Sequence, residues 1–148
     1  FQTAAESYAD DVGATIGPLY EAAFAAAATA ATNKVELNSI SDWAELYEAM
    51  ATSIQLLGKA ELGDKTMLDS FFPAVEHIKS LSTQGGSLSD ALHSTAKTAL
   101  DAAIATKDLI PKKGRAARLG ERAIGFQDAG ATSLAIILQG IADGVDGA

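Results

Sequence analysis

The sequence predicts an all-α protein, an antiparallel bundle or barrel of about six helices that forms a single domain over residues 1–148. Apolar residues recur at three- and four-residue spacing in several segments, which is the period of an amphipathic helix. No segment alternates apolar and polar residues well enough to predict a β-strand. Glycine-marked loops separate the periodic segments, and 148 residues suffice to bury one core.

The composition excludes several classes of protein. The chain has no cysteine, which excludes disulfides, thiolate metal sites and cysteine nucleophiles. The net charge of -8 argues against nucleic acid as the main partner. The longest apolar run, Glu21–Ala31, is too short and too weakly hydrophobic to span a bilayer. We therefore expect a cytoplasmic protein with neither a nucleic acid nor a membrane as its partner.

The first two helices are predicted from their boundaries. Phe1–Val12 ends before Gly13, a normal helix stop. The second helix starts near Pro18, because proline suits a first turn where its missing N–H is not needed, and runs to about Thr32. Residues 22–31 include eight alanines. Small side chains let helices approach closely, so we expect this to be a central helix packed on several sides.

The third predicted helix, Asp42–Leu57, has the strongest apolar period. Ser39 or Ser41 can cap it, and Asp42 lies favourably at its positive end. Its apolar face consists of Trp43, Leu46, Tyr47, Met50, Ile54 and Leu57. These aromatic side chains are expected to belong to the core and not to a ligand site.

The fourth helix is predicted from Thr66 to about Leu81, with Asp64 or Thr66 at its start. Pro73 lies inside this pattern, so the helix either starts late or kinks there. Its apolar face consists of Met67, Leu68, Phe71, Phe72, Val75 and Ile78.

The fifth helix is predicted from about Ser89 to Asp108, preceded by Ser87 as a cap. We expect its inward face to hold Leu92, Ala96, Ala99, Leu100, Ala103 and Ile104. The last helix is predicted from Ala131 to about Ala142, and the tail Asp143–Ala148 is expected to fray.

A basic, glycine-rich stretch, Lys112–Ser133, joins the last two helices. It holds four glycines and five of the chain's eleven Lys and Arg residues. One interpretation is a solvated loop, since charge and glycine are common in loops. The other is an ordered loop that receives a phosphorylated ligand, because guanidinium groups match phosphate oxygens and glycines let backbone N–H groups approach closely.

Three loops lie next to helix ends, namely 13–18, 58–66 and 112–130. A helix amino end carries free N–H groups and is a natural anion site. If the loops meet at one end of the bundle, they form a pocket with Thr15, Met67 and Arg115 that suits a nucleotide. The common catalytic signatures are absent and the two histidines are isolated, so we predict no catalytic or metal-ligating residue in this chain.

Three segments resemble the nucleotide-binding L subunit of dihydroxyacetone kinases, the DhaL or DAK2 domain family. Gly63–Asp69 is similar to the family's GDKTM segment, and Pro73 follows it. Lys113–Ser133 resembles its KGRAxxLGERxIGxQDPGATS stretch. Gly13–Tyr20 resembles its GGASGPLF loop. The matches fall in the family's order and cover essentially the whole chain.

The resemblance implies a barrel of eight antiparallel helices with ADP or ATP at one end. The nucleotide-binding residues that it implies here are Thr15, Ile16, Gly17, Gly58, Thr66, Met67, Arg115, Asp128, Ala129 and Gly130. The first three belong to the loop at the phosphates. Gly58, Thr66 and Met67 would line the adenine side. Arg115 would reach the nucleotide, and residues 128–130 would form a lip over the base.

The resemblance also implies partners. In such enzymes the nucleotide faces a K subunit or domain that holds a keto substrate covalently on a histidine. The phosphoryl donor is ATP in some members. In others, a phosphotransferase-system protein recharges the bound ADP.

The departures from the family pattern bear on activity. Ile16 stands at the serine of the glycine loop, Phe126 at a histidine, and Ala129 at the proline of the DPG lip. The family's D-x-D-x-G-x-N loop, whose aspartates hold two Mg²⁺, does not occur in this sequence. We therefore expect the chain to be truncated at its amino end and inactive alone. The alternative is a non-catalytic binding or regulatory module of the same fold.

Overall fold

The computed structural model describes residues 1–11 and 16–147. These residues form six α-helices and two 3₁₀ segments, which confirms the all-α prediction. The α-helices are α1 (Gln2–Asp11), α2 (Ile16–Ala31), α3 (Ile40–Gly58), α4 (Leu68–Gln84), α5 (Leu88–Ala105) and α6 (Ala129–Asp146). Between α5 and α6 lie the 3₁₀ segments Thr106–Asp108 and Arg115–Ala123. None of the helices described is long and apolar enough to cross a bilayer.

Each helix packs against the next one along the chain, and α4 also contacts α6. A connection of three residues joins α4 to α5, which requires the two helices to run in opposite directions. His93, early in α5, meets Asp146 at the end of α6, with Nε2 and Oδ2 2.7 Å apart. These two helices are therefore also antiparallel.

The core lies between the helices and is built on aromatic contacts. Trp43 and Tyr47 of α3 are in edge-to-face contact, with ring centroids 5.9 Å apart. Tyr47 makes the same kind of contact with Phe71 of α4 at 6.0 Å. All three side chains are buried, as the apolar period predicts.

Helix α2 is not the centre of the bundle. It packs against α1 and α3 and buries one face, which includes Tyr20, Ala23, Phe24 and Ala27. The expectation of a helix packed on several sides is therefore wrong. Its alanines allow close approach to two neighbours, but its outer face stays partly exposed.

The caps determine where most helices begin. Ser39 forms a capping box with Asp42 at the start of α3, and the Ser87 hydroxyl accepts from the Asp90 N–H at the start of α5. The fourth helix starts late, at Leu68, and continues through Pro73.

Two expectations about surfaces and ends are wrong. The tail was predicted to fray, but α6 continues to Asp146, because the contact of this residue with His93 ties it to α5. Leu57, Leu100 and Ile104, predicted to face the core, are 53%, 43% and 38% exposed.

Candidate functional site

The starts of three helices meet at one pocket with a volume of about 370 Å³. Ile16 is the first residue of α2, Leu68 of α4 and Ala129 of α6, and all three line it. The other lining residues are Leu19, Ile54, Gly58, Ala60, Lys65, Thr66, Met67, Lys113, Gly114, Arg115, Ala116, Asp128 and Gly130. The volume falls within the range of about 300–1,000 Å³ that small-molecule sites occupy.

The pocket brings together eight of the ten residues predicted to bind a nucleotide. They are Ile16, Gly58, Thr66, Met67, Arg115, Asp128, Ala129 and Gly130. Gly17 is buried in the first turn of α2 and does not line the pocket. Thr15 lies outside the described residues. Residues from all three loops predicted to converge therefore line one pocket, as far as the structure describes these loops.

Two buried carboxylates shape the loop before α4, and Asp64 accepts from the Glu61 N–H at 2.9 Å. Asp69, 6% exposed, accepts hydrogen bonds from the backbone N–H groups of Gly63 and Thr66. The Thr66 hydroxyl in turn accepts from the Leu68 N–H at 3.2 Å. Gly63 has φ of 92°, a left-handed conformation that favours glycine. Asp69 thus presents Thr66 and Met67 to the pocket in one fixed conformation.

Lys65 is a lining residue that the sequence analysis did not select. Its side chain is buried at 3% exposure, and its φ of 60° is uncommon for a residue with a side chain. The ammonium group donates to the carbonyl oxygens of Leu109 at 3.0 Å and Ala123 at 2.7 Å. The position of Lys65 inside the segment that resembles GDKTM is the one feature of the sequence that could have indicated it. No sequence pattern indicates that the hydrogen-bond partners of Lys65 are distant backbone carbonyls.

The basic stretch is folded into 3₁₀ turns and is not an irregular loop. It turns at Gly114 and Gly120, whose φ values are 66° and 53°. Its base is closed by a hydrogen bond from the Gly125 N–H to the Lys107 carbonyl oxygen at 2.8 Å. Arg115 lines the pocket with an exposed side chain, whereas Arg118 lies outside the lining.

Asp128 and Gly130 form the opposite side of the pocket. Asp128 caps α6, where its Oδ2 accepts from the Ala131 N–H at 2.8 Å. Burial raises the pKa of the Asp128 carboxyl, although the N–H groups at the start of α6 act in the opposite direction. A side chain on Gly130 would come within 3.0 Å of the Asp128 carboxylate and 3.5 Å of Met67 Cβ, so glycine allows this close approach.

The charges favour one place in the pocket for an anion. The amino end of α6 already has Asp128 as an acceptor, and α4 carries Asp69 in its first turn, with its Leu68 N–H bonded to the Thr66 hydroxyl. The first turn of α2 contains no acidic residue. The positive end of α2, near Ile16, therefore favours an anion more than the other two helix starts do.

The other wall of the pocket is apolar, formed by Leu19, Ile54, Ala60 and Met67. A ligand with an anionic part and a flat apolar part suits this combination of walls. Among the described residues, no group of three or more His, Asp or Glu side chains is arranged to hold a metal ion.

A second depression lies between α2 and α3 and is larger, at about 700 Å³. It is shallow, and its charged lining residues are Glu45 and Glu48. Two carboxylates would repel a phosphorylated ligand. The pocket at the helix starts is therefore the candidate site.

Comparison with known proteins gives a family match. The DAK2 domain family matches residues 1–143. The chain is 39% identical over 131 residues to the ADP-binding subunit DhaL of the PEP-dependent dihydroxyacetone kinase of Escherichia coli, covering 88% of this chain and 62% of that protein. It is 40% identical over 128 residues to the corresponding subunit of dihydroxyacetone kinase 2 of Listeria innocua, covering 82% of this chain and 56% of that protein.

A longer relative is also similar. The L-erythrulose kinase of Pectobacterium atrosepticum is 35% identical over 140 residues, which are 95% of this chain and 24% of that protein. The chain thus spans about three fifths of the length of the DhaL subunits and about a quarter of the length of the L-erythrulose kinase.

Proposed function

The chain belongs to the DAK2 domain family, and on this premise we propose that it is the nucleotide-binding part of a dihydroxyacetone-kinase-like phosphotransferase. It holds ADP or ATP while a phosphoryl group passes to a keto sugar. The observation that carries the proposal is the pocket itself. In it, the amino ends of three helices, an exposed arginine and an apolar wall lie together. The names of the DhaL relatives, which are ADP-binding subunits, support the choice of nucleotide.

The phosphates lie at the start of α2 in this proposal. The N–H group of Ile16 and the guanidinium group of Arg115 face the phosphate oxygens, and the resemblance alone adds Thr15 and Gly17 to this set. Backbone N–H groups at a helix start and a guanidinium group are both strong phosphate donors. The residues therefore bind and orient the anion without taking part in bond breaking.

The base lies against the apolar wall. Gly58 and Met67 form one side of the slot, with Thr66 beside them, and residues 128–130 form the lip. Gly130 lies in close contact with Met67, so the base has to lie beside this contact and not between the two residues. Ala129, in place of the family's proline, leaves the lip more freedom of φ than a proline would.

The substrate is held by a partner in this proposal. We propose that a separate K subunit or domain carries the keto sugar. The names of the relatives support this arrangement, since two are named as subunits, and this chain covers only 24% of the L-erythrulose kinase. Leu119, Ile124 and Phe126, exposed at 47%, 46% and 71%, offer the partner an apolar surface beside the pocket.

The phosphoryl donor and the metal are further parts of the proposal. The relatives named PEP-dependent support a bound ADP that a phosphotransferase-system protein recharges, and ATP is the other donor. Mg²⁺ would neutralise phosphate charge in such a reaction. The described residues do not fit a magnesium site, so no step is assigned to the metal here. We place the protein in the cytoplasm, where these donors are found.

Calorimetric titration with ADP, with and without Mg²⁺, tests the proposal. We expect saturable binding to one site, and weaker or no binding of GDP, because its exocyclic groups differ at the base slot. Inorganic phosphate at the same concentration is the control for non-specific anion binding. Absence of ADP binding both by this chain and by the full-length gene product would refute the proposal.

A non-catalytic binding or regulatory module is the second candidate. Ile16, in place of a hydroxyl residue, and the lack of a metal cluster among the described residues favour it. An assay of the full-length gene product with a K-type partner, ATP and dihydroxyacetone separates the two. Phosphoryl transfer identifies the enzyme, whereas ADP binding without transfer identifies the module.

A further inference from the structure

We infer that Lys65 is a positioning residue that holds Arg115 at the nucleotide pocket by fastening both ends of the segment that carries it. The inference rests on the nucleotide-binding function proposed above. The segment, residues 110–122, contains Arg115 and all five basic residues of the basic stretch. It leaves the bundle after Leu109 and returns at Ala123.

The Lys65 ammonium group bridges these two points. Its Nζ donates to the Leu109 carbonyl oxygen at 3.0 Å and to the Ala123 carbonyl oxygen at 2.7 Å. An ammonium group has three protons, so one donor can bond both carbonyls at once. One side chain thus joins the entry and the exit of the segment to the wall of the pocket.

The placement of Lys65 is energetically unfavourable in itself. Its side chain is 3% exposed, and its backbone φ is 60°. A buried charge has to be compensated by hydrogen bonds, and a left-handed φ is disfavoured for a residue with a side chain. In the part of the chain that the structure describes, no carboxylate lies within 4.0 Å of its Nζ to form an ion pair. Asp128 attracts the ammonium group from a longer distance, and the two carbonyl bonds are the hydrogen bonds that hold it in place.

Other contacts also anchor the segment. The Lys112 N–H donates to the Asp64 carbonyl oxygen at 3.0 Å, the Lys112 Nζ lies 3.8 Å from Asp64 Oδ1, and the Gly125 N–H donates to the Lys107 carbonyl oxygen at 2.8 Å. Lys65 differs from them because its one ammonium group bonds both the entry and the exit of the segment. Arg115 itself is exposed. Removing the ammonium group should therefore loosen the segment more than the helices, whose core does not depend on it.

Titration of ADP into Lys65→Met tests the inference. We expect the affinity to fall about tenfold, because an unpositioned Arg115 forfeits much of a charged hydrogen bond. Lys97→Met is the matched control, since Lys97 is an exposed lysine on α5 paired with Asp101. The control should bind ADP with the affinity of the parent chain.

A double-mutant cycle separates positioning from general stability. If Lys65 acts through Arg115, the double variant Lys65→Met/Arg115→Ala binds ADP no more weakly than Arg115→Ala alone. Additive losses would overturn the inference. Hydrogen exchange provides a second readout: Lys65→Met should accelerate exchange in residues 110–123 and leave α3 unchanged, and uniform acceleration would show a structural role only.

Two further outcomes keep the test decisive. If Lys65→Met does not fold, Lys65→Gln replaces it in the double-mutant cycle, because its amide can still donate to a carbonyl and support folding, and a loss of affinity that adds to that of Arg115→Ala would overturn the inference. If the parent chain and the full-length product fail to bind ADP, the proposed function fails. In that case, faster exchange confined to residues 110–123 in Lys65→Met would show that Lys65 anchors the segment. Its proposed role in nucleotide binding would be refuted.

Discussion

Replacing Arg115 by alanine should weaken nucleotide binding without destabilising the fold. The Arg115 side chain is exposed, and no hydrogen bond or ion pair joins it to the rest of the described chain. Its loss should therefore change the free energy of unfolding by less than about 0.5 kcal/mol, as for most surface substitutions. A guanidinium–phosphate hydrogen bond contributes about 1.5–3 kcal/mol, which corresponds to a loss in ADP affinity of about 10- to 150-fold.

Arg118→Ala is the matched control for this prediction. Arg118 lies in the same stretch, is exposed and carries the same charge, but it does not line the pocket. Calorimetry with ADP and thermal unfolding should be carried out on both variants and the parent chain. Equal loss of affinity in the two variants would show that net positive charge, and not a contact from Arg115, attracts the nucleotide. A parallel loss of melting temperature and affinity in Arg115→Ala would indicate a structural role instead.

Three further predictions concern the supports of the pocket. Asp69→Ala removes two charge-assisted hydrogen bonds and should lower the free energy of unfolding, measured by denaturant titration, by about 3–5 kcal/mol. Asp101 is exposed, so the control Asp101→Ala should change this free energy by less than about 0.5 kcal/mol. Asp128→Ala should lower it by about 1 kcal/mol through loss of the α6 cap, and Asp128→Asn should retain most of that stability by the same assay. The hydrogen bond to Asp146 raises the pKa of His93 above 6.5. The stabilisation that this bond gives the fold is therefore fully present below pH 6.5 and is lost as the pH rises through the raised pKa of His93. The difference in melting temperature between the parent and His93→Gln should therefore be larger at about pH 5.5 than at about pH 9, and a difference that does not depend on pH would contradict this.

The fold could be predicted in large part from local patterns. The apolar period of α3 and the caps at Ser39, Ser87 and Asp128 specify helices that the structure contains. The end of α6 could not be predicted in this way. Asp146 is held by His93, 53 residues away in the chain, and no local pattern contains that contact.

The candidate site, like the fold, could be predicted only in part from local sequence patterns. Glycine and arginine in the basic stretch indicate a ligand loop, and a resemblance to known motifs selects the residues that line the pocket. The contacts of Lys65 could not be predicted from such motifs. Its partners are backbone carbonyls 44 and 58 residues away, and any residue type can supply a carbonyl. Gly17, which the resemblance also selects, is buried in the first turn of its helix and does not line the pocket, so its role stays a prediction.

The central claim, that ADP binds where the starts of α2, α4 and α6 meet, is tested most directly by nuclear magnetic resonance of the backbone amides during an ADP titration. The account predicts the largest shift changes at Ile16, Gly58 and Gly130, with saturation at one equivalent of nucleotide. Changes concentrated instead at the depression lined by Glu45 and Glu48, or no change at saturating ADP, would contradict it.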